Sequence, residues 1–297
     1  MIFKPAKALG LVVGLIVLAT IVGIEGFLLA SMLRQSPGPG MFVTGLLFLF
    51  SIPLLVLWGF WYYELLALRY RLDRNALIIE YGTTQHIIPM ERVRRVLPGA
   101  ELHNVGHFRG VGWPGYLKGR QRVSGLGWLW MYSTEPLERT TVIVTDAASY
   151  GISPASPETF LEALQARRDL GPVRPVSQTR VRSPFLTLPL WRDRLFWVAV
   201  AIGVLIDVGL WGFVMTRYAH LGSRIPIHFD AQGQADRIVS KIWLLIIPGI
   251  GLALVSLNAL LSMMIHRREK LAAHLLALVA AVSQAILYLA LTDIIQR

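Results

Sequence analysis

A polar segment between two apolar stretches holds the residues that could bind a metal ion or a partner. His220, His228, Asp230 and Asp236 supply imidazoles and carboxylates, which are ligand types that zinc takes in proteins. Spacing along a flexible loop does not fix a coordination geometry, and the two aspartates can equally solvate a turn. We therefore predict no metal ion and no cofactor, and we expect the loop to recognise a peptide or protein partner. The residues predicted to do so are Pro226, His228, Phe229, Gly233, Asp236 and Lys241.

Polar side chains inside the apolar stretches form the second candidate set, which is Glu25, Asp207 and Gln284. An acidic residue at the centre of a membrane helix costs ~3 kcal/mol to insert, so it should face other helices, water or a partner. We favour hydrogen bonding between helices, with Gln284 bonded to a protonated Asp207. The alternative is a small ion- or proton-coupled transporter that uses Asp207 and Glu25.

A glycine-rich segment, Glu101–Gly127, mixes cationic and aromatic side chains. We interpret it as a long loop, and loops longer than ~15 residues are usually functional or disordered. Cationic groups that contact phosphates, with aromatics at the bilayer boundary, suit an anionic lipid surface. The residues predicted to face lipid headgroups are Arg109, Trp113, Tyr116, Lys118, Arg120 and Arg122. The alternative is a solvated loop without a ligand.

Patterns typical of an enzyme are absent from the sequence. It has no nucleophile elbow, no phosphate-binding loop and no His-Glu-x-x-His helix. The absence of cysteine excludes disulfides, thiolate metal sites and a cysteine nucleophile. The sequence therefore predicts a non-enzymatic protein without catalytic residues. A membrane hydrolase with a metal ion at His220 and His228 is the weaker alternative.

Five apolar stretches must position these residues. Each reaches the ~20 residues that cover ~30 Å of hydrocarbon, and 54% of the chain is hydrophobic, with a mean hydropathy of +0.54. The predicted spans are 8–33, 41–66, 195–216, 242–265 and 271–294. The predicted organisation is a transmembrane hairpin at 1–68, a central domain at 69–168, a basic linker at 169–194 and a three-span region at 195–297 with its outer loop at 217–241.

Basic residues near the ends of these stretches predict the orientation. Lys4 and Lys7 precede the first span, an arginine cluster follows the second, and Arg267, Arg268 and Lys270 join the last two. This pattern places the N-terminus and the central domain in the cytoplasm, with the outer loop and the C-terminus outside the inner (cytoplasmic) membrane. The net charge of +11 lies largely in these clusters, which attract anionic lipid. We therefore expect the lipid bilayer as a partner, and no nucleic acid.

In the central segment, short runs of alternating apolar and polar residues predict antiparallel strands. A helix is predicted to follow at about 157–168, with Ser156 in the capping position. The order of these elements, together with the stretches Ile88-Pro89-Met90-Glu91-Arg92-Val93 and Tyr150-Gly151-Ile152-Ser153-Pro154, resembles bacterial pleckstrin-homology-like (PH-like) domains. The resemblance implies a small α+β roll or barrel with a C-terminal helix, attached to membrane α-helices. It also implies a binding or assembly module rather than an enzyme.

The outer loop carries a second resemblance. The stretch Arg224-Ile225-Pro226-Ile227-His228-Phe229-Asp230, followed by Gly233-Gln234-Ala235-Asp236 and Lys241, is similar to a domain of unknown function shared by SdpI-like membrane proteins. That group includes toxin-immunity proteins. This chain departs from the simple immunity architecture by its inserted PH-like segment and its extra transmembrane hairpin. We expect a sensing, binding or immunity-type role that couples the loop to the PH-like domain. The alternative is a scaffold that forms homo-oligomers through that domain.

Overall fold

The computed structural model describes residues 1–229 and 234–296. Five of the helices in this part of the chain are long and apolar enough to cross a membrane. The predicted five-span architecture is therefore confirmed. The helices are α1 (Ala8–Arg34), α2 (Pro39–Ala67), α3 (Pro157–Leu170), α4 (Arg194–Tyr218), α5 (Ile246–Ile265) and α6 (Lys270–Gln296), of which only α3 is too short and too polar to span.

The strands lie mostly between α2 and α4. They are β1 (Ile2–Phe3), β2 (Arg69–Leu72), β3 (Ala76–Tyr81), β4 (Thr84–Pro89), β5 (Val93–Pro98), β6 (Arg109–Trp113), β7 (Tyr116–Val123), β8 (Gly127–Ser133), β9 (Thr141–Thr145), β10 (Ser149–Ile152), β11 (Thr179–Val181), β12 (Arg224–Phe229) and β13 (Ala235–Ser240). One sheet has the order β1-β2-β3-β4-β11 and a second has the order β5-β9-β10-β8-β7-β6. Among the described strands, β8 and β10 pair in parallel and the other neighbours are antiparallel.

The chain divides into two compact units. The first comprises Met1–Ile24 and Ile52–Ser183, and the second comprises Glu25–Ser51 and Pro184–Arg297. Helices α1 and α2 therefore contribute residues to both units. The first unit contains the PH-like domain, and the second contains α4, α5, α6 and the β12–β13 hairpin.

The core of the PH-like domain forms where α3 packs against the sheets. Phe160 and Leu164 lie on one face of α3 and are almost fully buried, beside Tyr70, Leu72 and Leu77 from the first sheet. Strand β2 alternates exposed and buried residues, as expected for a strand with one face on the core. Neither sheet closes on itself within the described residues, so the predicted roll is built from two open sheets. The predicted α+β, PH-like class is confirmed.

Two strands extend the PH-like domain beyond the limits that the sequence predicts. Strand β1, at the N-terminus, pairs with β2, and Phe3 packs edge-on against Phe160 at 5.2 Å between ring centroids. Strand β11 lies in the predicted linker 169–194 and pairs with β4. Both strands are too short to show a period-2 pattern, so their pairing depends on tertiary contacts.

Two glycines of α1 allow close packing against aromatic side chains. Trp113 Nε1 donates to the carbonyl of Gly10 at 3.0 Å, and Trp58 Nε1 donates to the carbonyl of Gly14 at 3.1 Å. A Cβ at Gly10 would collide with the backbone of Gly115, which turns the chain between β6 and β7 with φ +84°. This left-handed conformation favours glycine. The close approach at Gly10 and Gly14 therefore brings α1 against the β6–β7 turn and against α2 within the first unit.

Helices α4, α5 and α6 pack together in the second unit. Leu210, Val214, Leu244 and Leu291 are almost fully buried at one end of the bundle. Helix α5 is preceded by a 3₁₀ turn, Lys241–Leu245. Pro248 has no N–H with which to bond the carbonyl of Leu244, which agrees with α-helical bonding beginning only at Ile246.

Candidate functional site

The β12–β13 hairpin between α4 and α5 carries the residues predicted to bind a partner. Its strands are antiparallel, with Arg224 opposite Ser240 and an irregular register on both sides of His228. Pro226 lacks the N–H that a regular ladder needs, which is a physical reason for the irregularity beside it. In the part of the chain that the structure describes, these two strands form a sheet of their own. Each strand therefore has an outer edge on which a further strand could pair.

The structure assigns different positions to the predicted loop residues. His228 and Phe229 belong to the backbone of β12, and Asp236 belongs to β13, where its side chain is exposed. Gly233 and Asp230 lie outside the described residues. Along β13 every side chain is exposed or half-buried, and Ile238 is 58% exposed. The hairpin thus presents both backbone edge and apolar side-chain surface.

Lys241 anchors the base of this hairpin. Its Nζ donates to the carbonyl of Tyr218 at 3.1 Å and to that of Leu221 at 3.3 Å, and it lies 4.7 Å from the Tyr218 ring centroid. These contacts satisfy the carbonyl of the last residue of α4 and one just beyond it, where a cation is also favoured by the helix dipole. Ile225 is 6% exposed and packs against Val214 and Tyr218. The side chain of Lys241 is therefore engaged by α4, and the hairpin is attached to that helix at two points.

The predicted loop Glu101–Gly127 is instead largely a β-hairpin, formed by β6 and β7. Gly110 lies opposite Gly119 in this hairpin, and a Cβ on either residue would meet the partner strand at less than normal contact distance. These two glycines allow the strands to approach closely, which is why a high glycine content alone is a misleading sign of a flexible loop. Trp113 and Tyr116 are 8% and 1% exposed and belong to the core of the PH-like domain. The expectation that these two rings face headgroups does not fit their burial.

The basic residues of the same prediction share one face of the sheet. Residues two apart on a strand point to the same side, so Lys118, Arg120 and Arg122 of β7 lie on one face. The Arg120 guanidinium lies over the ring of Trp128 at 4.7 Å, and Trp128 is 41% exposed. Arg109 lies opposite Arg120 in β6 and is exposed. We call these residues the basic–aromatic face: Arg109, Lys118, Arg120, Arg122, Trp128 and Trp130.

Lys118 connects the basic–aromatic face to the end of α2. Its Nζ lies 2.5 Å from both carboxylate oxygens of Glu64, which is in the last turn of α2. The Glu64 side chain is 3% exposed and that of Lys118 is 22% exposed. The Lys118 ammonium also lies 5.1 Å from the ring centroid of Tyr81. A buried carboxylate is tolerated here because a charged donor satisfies both of its oxygens.

A buried polar network holds β11 to the first sheet. Arg180 of β11 donates from Nη2 to the Tyr81 hydroxyl at 2.8 Å, and the hydroxyls of Tyr81 and Tyr132 lie 3.2 and 2.9 Å from His86 Nε2. Burial, assisted by the nearby charges of Arg180 and Arg182, lowers the pKa of His86 to about 3. Burial also raises the pKa of Tyr132 above its usual range. The side chains of His86 and Tyr132 are therefore uncharged at neutral pH, so they support the sheet and are not poised for proton transfer there.

Polar side chains meet in the middle of the α4–α6 bundle. Asp207 is 3% exposed and Gln284 is fully buried, and both approach Gly251 of α5. Gln284 donates from Nε2 to the carbonyl of Gly251 at 2.6 Å, while Asp207 Oδ1 and Gln284 Oε1 have no hydrogen-bond partner. Gln284 therefore bonds to the backbone of α5. Glu25 is also buried without a hydrogen bond to either carboxylate oxygen, so no bond joins it to Asp207.

A cluster that the sequence does not predict lies at the other end of the bundle. Asp193 precedes α4, His266 follows α5, and His274 is in the second turn of α6. The Nε2 atoms of both histidines lie 2.8 Å from Asp193 Oδ2, and Lys270 Nζ lies 3.4 Å from the same oxygen. Asp193 Oδ1 accepts from the backbone N–H of Phe196, which caps the helix. Hydrogen bonds from His266 and then His274 hold the pKa of Asp193 well below its usual range.

Sequence reasoning could have found only part of this cluster. An aspartate directly before an apolar helix is a signal for an N-cap, and His266 and His274 flank a short turn between two helices. The carboxylate is 73 and 81 residues from the two histidines, so no local spacing connects the three. Their convergence depends on how α4 packs against α5 and α6.

Comparison with protein families identifies two segments. Residues 68–168 match the family described as bacterial PH domain, and residues 205–252 match a domain of unknown function, DUF1648. DUF1648 is the domain associated with SdpI-like proteins, so both resemblances seen in the sequence are confirmed. Neither a curated protein nor a solved structure matches the chain. The protein is therefore a multi-pass membrane protein that carries a PH-like domain and a DUF1648 domain.

Proposed function

We propose that the protein is a non-enzymatic membrane sensor of the binding or immunity type. The β12–β13 hairpin, on the extracytoplasmic side, binds an extended peptide or protein segment, and the PH-like domain on the cytoplasmic side responds. The observation that carries this proposal is a two-stranded sheet of its own between two spans, whose strand β13 has exposed or half-buried side chains throughout. Strand addition supplies backbone hydrogen bonds for affinity, and exposed side chains such as Ile238 supply selectivity.

The position of the family match supports this assignment. The DUF1648 segment, 205–252, contains the whole hairpin together with the half of α4 before it and the start of α5 after it. The hairpin is therefore the part of the segment that lies outside the spans. Its anchors, Lys241 and Ile225, attach it to the end of α4, so a partner that orders or tilts the hairpin acts on α4 directly.

The orientation follows from the distribution of basic residues. Lys4 and Lys7 precede α1, and Arg267, Arg268 and Lys270 lie at the α5–α6 turn. The positive-inside rule places these residues in the cytoplasm of a bacterial cell. The PH-like domain then also lies in the cytoplasm and the β12–β13 hairpin lies outside. The chain passes between the two units within α1, within α2 and between Ser183 and Pro184, and in this proposal the units are coupled through these covalent connections.

The basic–aromatic face of the PH-like domain suits a membrane surface rich in anionic lipid. Lys118 of this face reaches the last turn of α2, which is where a spanning helix leaves the hydrocarbon. Arg120 and Arg122 continue the same face along β7 and are exposed. Each basic side chain near an anionic surface contributes about 1 kcal/mol. In this proposal the face holds the domain against the cytoplasmic leaflet, and self-association of the domain remains the alternative use.

Variants of the hairpin test the proposal. In cells that lack the protein and are exposed to a membrane-active peptide toxin, we expect the wild-type chain to restore growth. The double variant His228→Ala/Asp236→Ala and the edge variant Ile238→Lys are expected to lose most of this protection. A lysine on an exposed strand edge discourages pairing with another strand, and Ile238 loses no core contact because it is 58% exposed.

Ser223→Ala is the matched control, because Ser223 is exposed and precedes β12. Membrane fractionation must show equal amounts of all four chains. Full protection by the double variant and by Ile238→Lys, at equal amounts, would contradict the hairpin as the binding element.

A further inference from the structure

Three side chains at or near the ends of three helices converge on one point at the end of the bundle opposite the hairpin. The Nε2 atoms of His266 and His274 and a carboxylate oxygen of Asp193 all lie within 4.8 Å of one another. The side chains of Asp193, His266 and His274 are 6%, 4% and 18% exposed. Two imidazole nitrogens and one carboxylate oxygen form a donor set that proteins use for zinc. The chain has no cysteine that could compete for such an ion.

Local structure holds Asp193 in place and brings the helices that carry the two histidines close together. Asp193 is fixed as the N-cap of α4 because its other oxygen accepts from Phe196 N at 3.3 Å. Ser262 Oγ donates to the carbonyl of Ala273 at 2.9 Å, and Ala273 is fully buried, so α5 and α6 approach closely beside the two histidines. The site is therefore pre-formed by helix packing rather than by a flexible loop.

The distances are close to those that one ion requires. Ligand atoms around a tetrahedral Zn²⁺ lie roughly 3.4 Å apart, given metal–ligand bonds of about 2.1 Å. Here each Nε2 lies 2.8 Å from Asp193 Oδ2. An ion between the three atoms needs only a small outward movement of the imidazoles. It would replace two hydrogen bonds to the same oxygen by three coordinate bonds.

A cavity of about 350 Å³ lies beside Asp193 and His266, and basic side chains form much of its lining. Arg192, Arg267 and Lys270 contribute to this lining, together with Pro189. Lys270 lies 3.4 Å from Asp193 Oδ2 but is 65% exposed, so it can turn away toward solvent when an ion binds. A basic cavity beside an open metal position favours an anion or hydroxide as the fourth ligand.

We propose that Asp193, His266 and His274 form a Zn²⁺ site that fastens α4, α5 and α6 at the end of the bundle opposite the β12–β13 hairpin. Binding of Zn²⁺ stabilises this helix arrangement because the ion links the start of α4 to the α5–α6 turn, where the two histidines are 73 and 81 residues from Asp193. The site lies at the far end of α4, a helix of 25 residues that is roughly 37 Å long. It is independent of partner binding by the hairpin.

Metal content of the full-length protein tests this site. The protein, purified in detergent, freed of any polyhistidine tag and stripped with a chelator, is titrated with Zn²⁺ against a chromophoric competitor. We expect one Zn²⁺ per chain and a higher thermal unfolding temperature with the ion. Asp193→Asn, which keeps an N-cap residue, and His274→Gln are each expected to weaken Zn²⁺ binding by more than roughly tenfold. Loss of a residue that only supports a metal ligand already lowers metal affinity by about that factor.

His220→Gln is the control, because His220 is exposed at the other end of α4, and its Zn²⁺ affinity should equal that of the wild type. X-ray absorption of the loaded protein should report nitrogen and oxygen ligands including two imidazoles. Equal Zn²⁺ affinity of the wild type and the folded Asp193→Asn and His274→Gln proteins would overturn the proposal. It would show that the cluster is held by hydrogen bonds alone, while leaving the hairpin proposal untouched.

Discussion

Replacement of Lys118 by methionine is expected to lower the free energy of unfolding of the PH-like domain by about 3 kcal/mol. Methionine retains most of the apolar contact of the lysine stem but leaves the carboxylate of Glu64 buried without a charged donor. Removal of one partner of a buried ion pair typically costs about 3–5 kcal/mol. The lower end of this range applies because the pair is only partly removed from solvent. The Lys118 side chain is 22% exposed, while that of Glu64 is 3% exposed.

Hydrogen–deuterium exchange on the full-length protein in detergent measures this effect locally. We expect the amides of β7 and β8 to exchange faster by the factor of over a hundred that about 3 kcal/mol implies. In the double variant Lys118→Met/Glu64→Gln most of the protection should return, because no buried charge remains. Arg109→Met is the matched control, since Arg109 is exposed on the neighbouring strand β6. Unchanged exchange in Lys118→Met would show that the ion pair does not hold the domain.

Replacement of Gly251 by valine is expected to destabilise the α4–α6 bundle by about 3 kcal/mol. A Cβ at this position would collide with Asp207 Oδ1 and would lie 2.6 Å from Gln284 Oε1 and 3.0 Å from Gln284 Nε2. Overpacking of a well-packed interior costs about 1–3 kcal/mol. The upper end is expected because displacement of Gln284 also breaks its hydrogen bond to the carbonyl of Gly251.

Gly249→Val is a close control, because Gly249 lies in the same helix and a Cβ there meets nothing within 4 Å. In detergent, the unfolding temperature of Gly251→Val should fall by roughly 6–12 °C, given about 2–4 °C per kcal/mol for large domains. That of Gly249→Val should stay within about 2 °C of the wild type. Gln284→Ala, combined with Gly251→Val, should recover part of the loss. Equal unfolding temperatures for the two valine variants would mean that the crossing at Gly251 is not close-packed.

The spans and the class of the central domain follow from sequence because they rest on local composition. About twenty successive apolar residues can do little else than cross a bilayer, and α1, α2, α4 and α6 begin and end within three residues of the predicted limits. Helix α3 is equally local, since Pro157 begins it and Phe160 and Leu164 face the core. These features need no knowledge of distant contacts.

The features that sequence reasoning missed depend on contacts between distant segments. The glycines that lie opposite each other in β6 and β7 look like the glycines of a flexible loop until the pairing of the two strands is known. Trp113 resembles a surface anchor until its indole N–H is seen to bond Gly10, 103 residues away. Lys241 resembles a binding residue until its ammonium is found on the carbonyls that end α4. In each case the sequence shows what kind of side chain is present but does not show which distant residues it contacts.

The central claim is that the β12–β13 hairpin lies outside the cell and the PH-like domain inside, and the lack of cysteine allows a direct test. Ser223 lies just before β12 and Ser124 lies in the turn after β7, and both residues are exposed. Each is replaced by cysteine in a separate variant. In intact cells a membrane-impermeant maleimide should label Ser223→Cys, and it should label Ser124→Cys only after permeabilisation. The cysteine-free wild type gives the background. Labelling of Ser124→Cys alone in intact cells would reverse the orientation and contradict the proposed function.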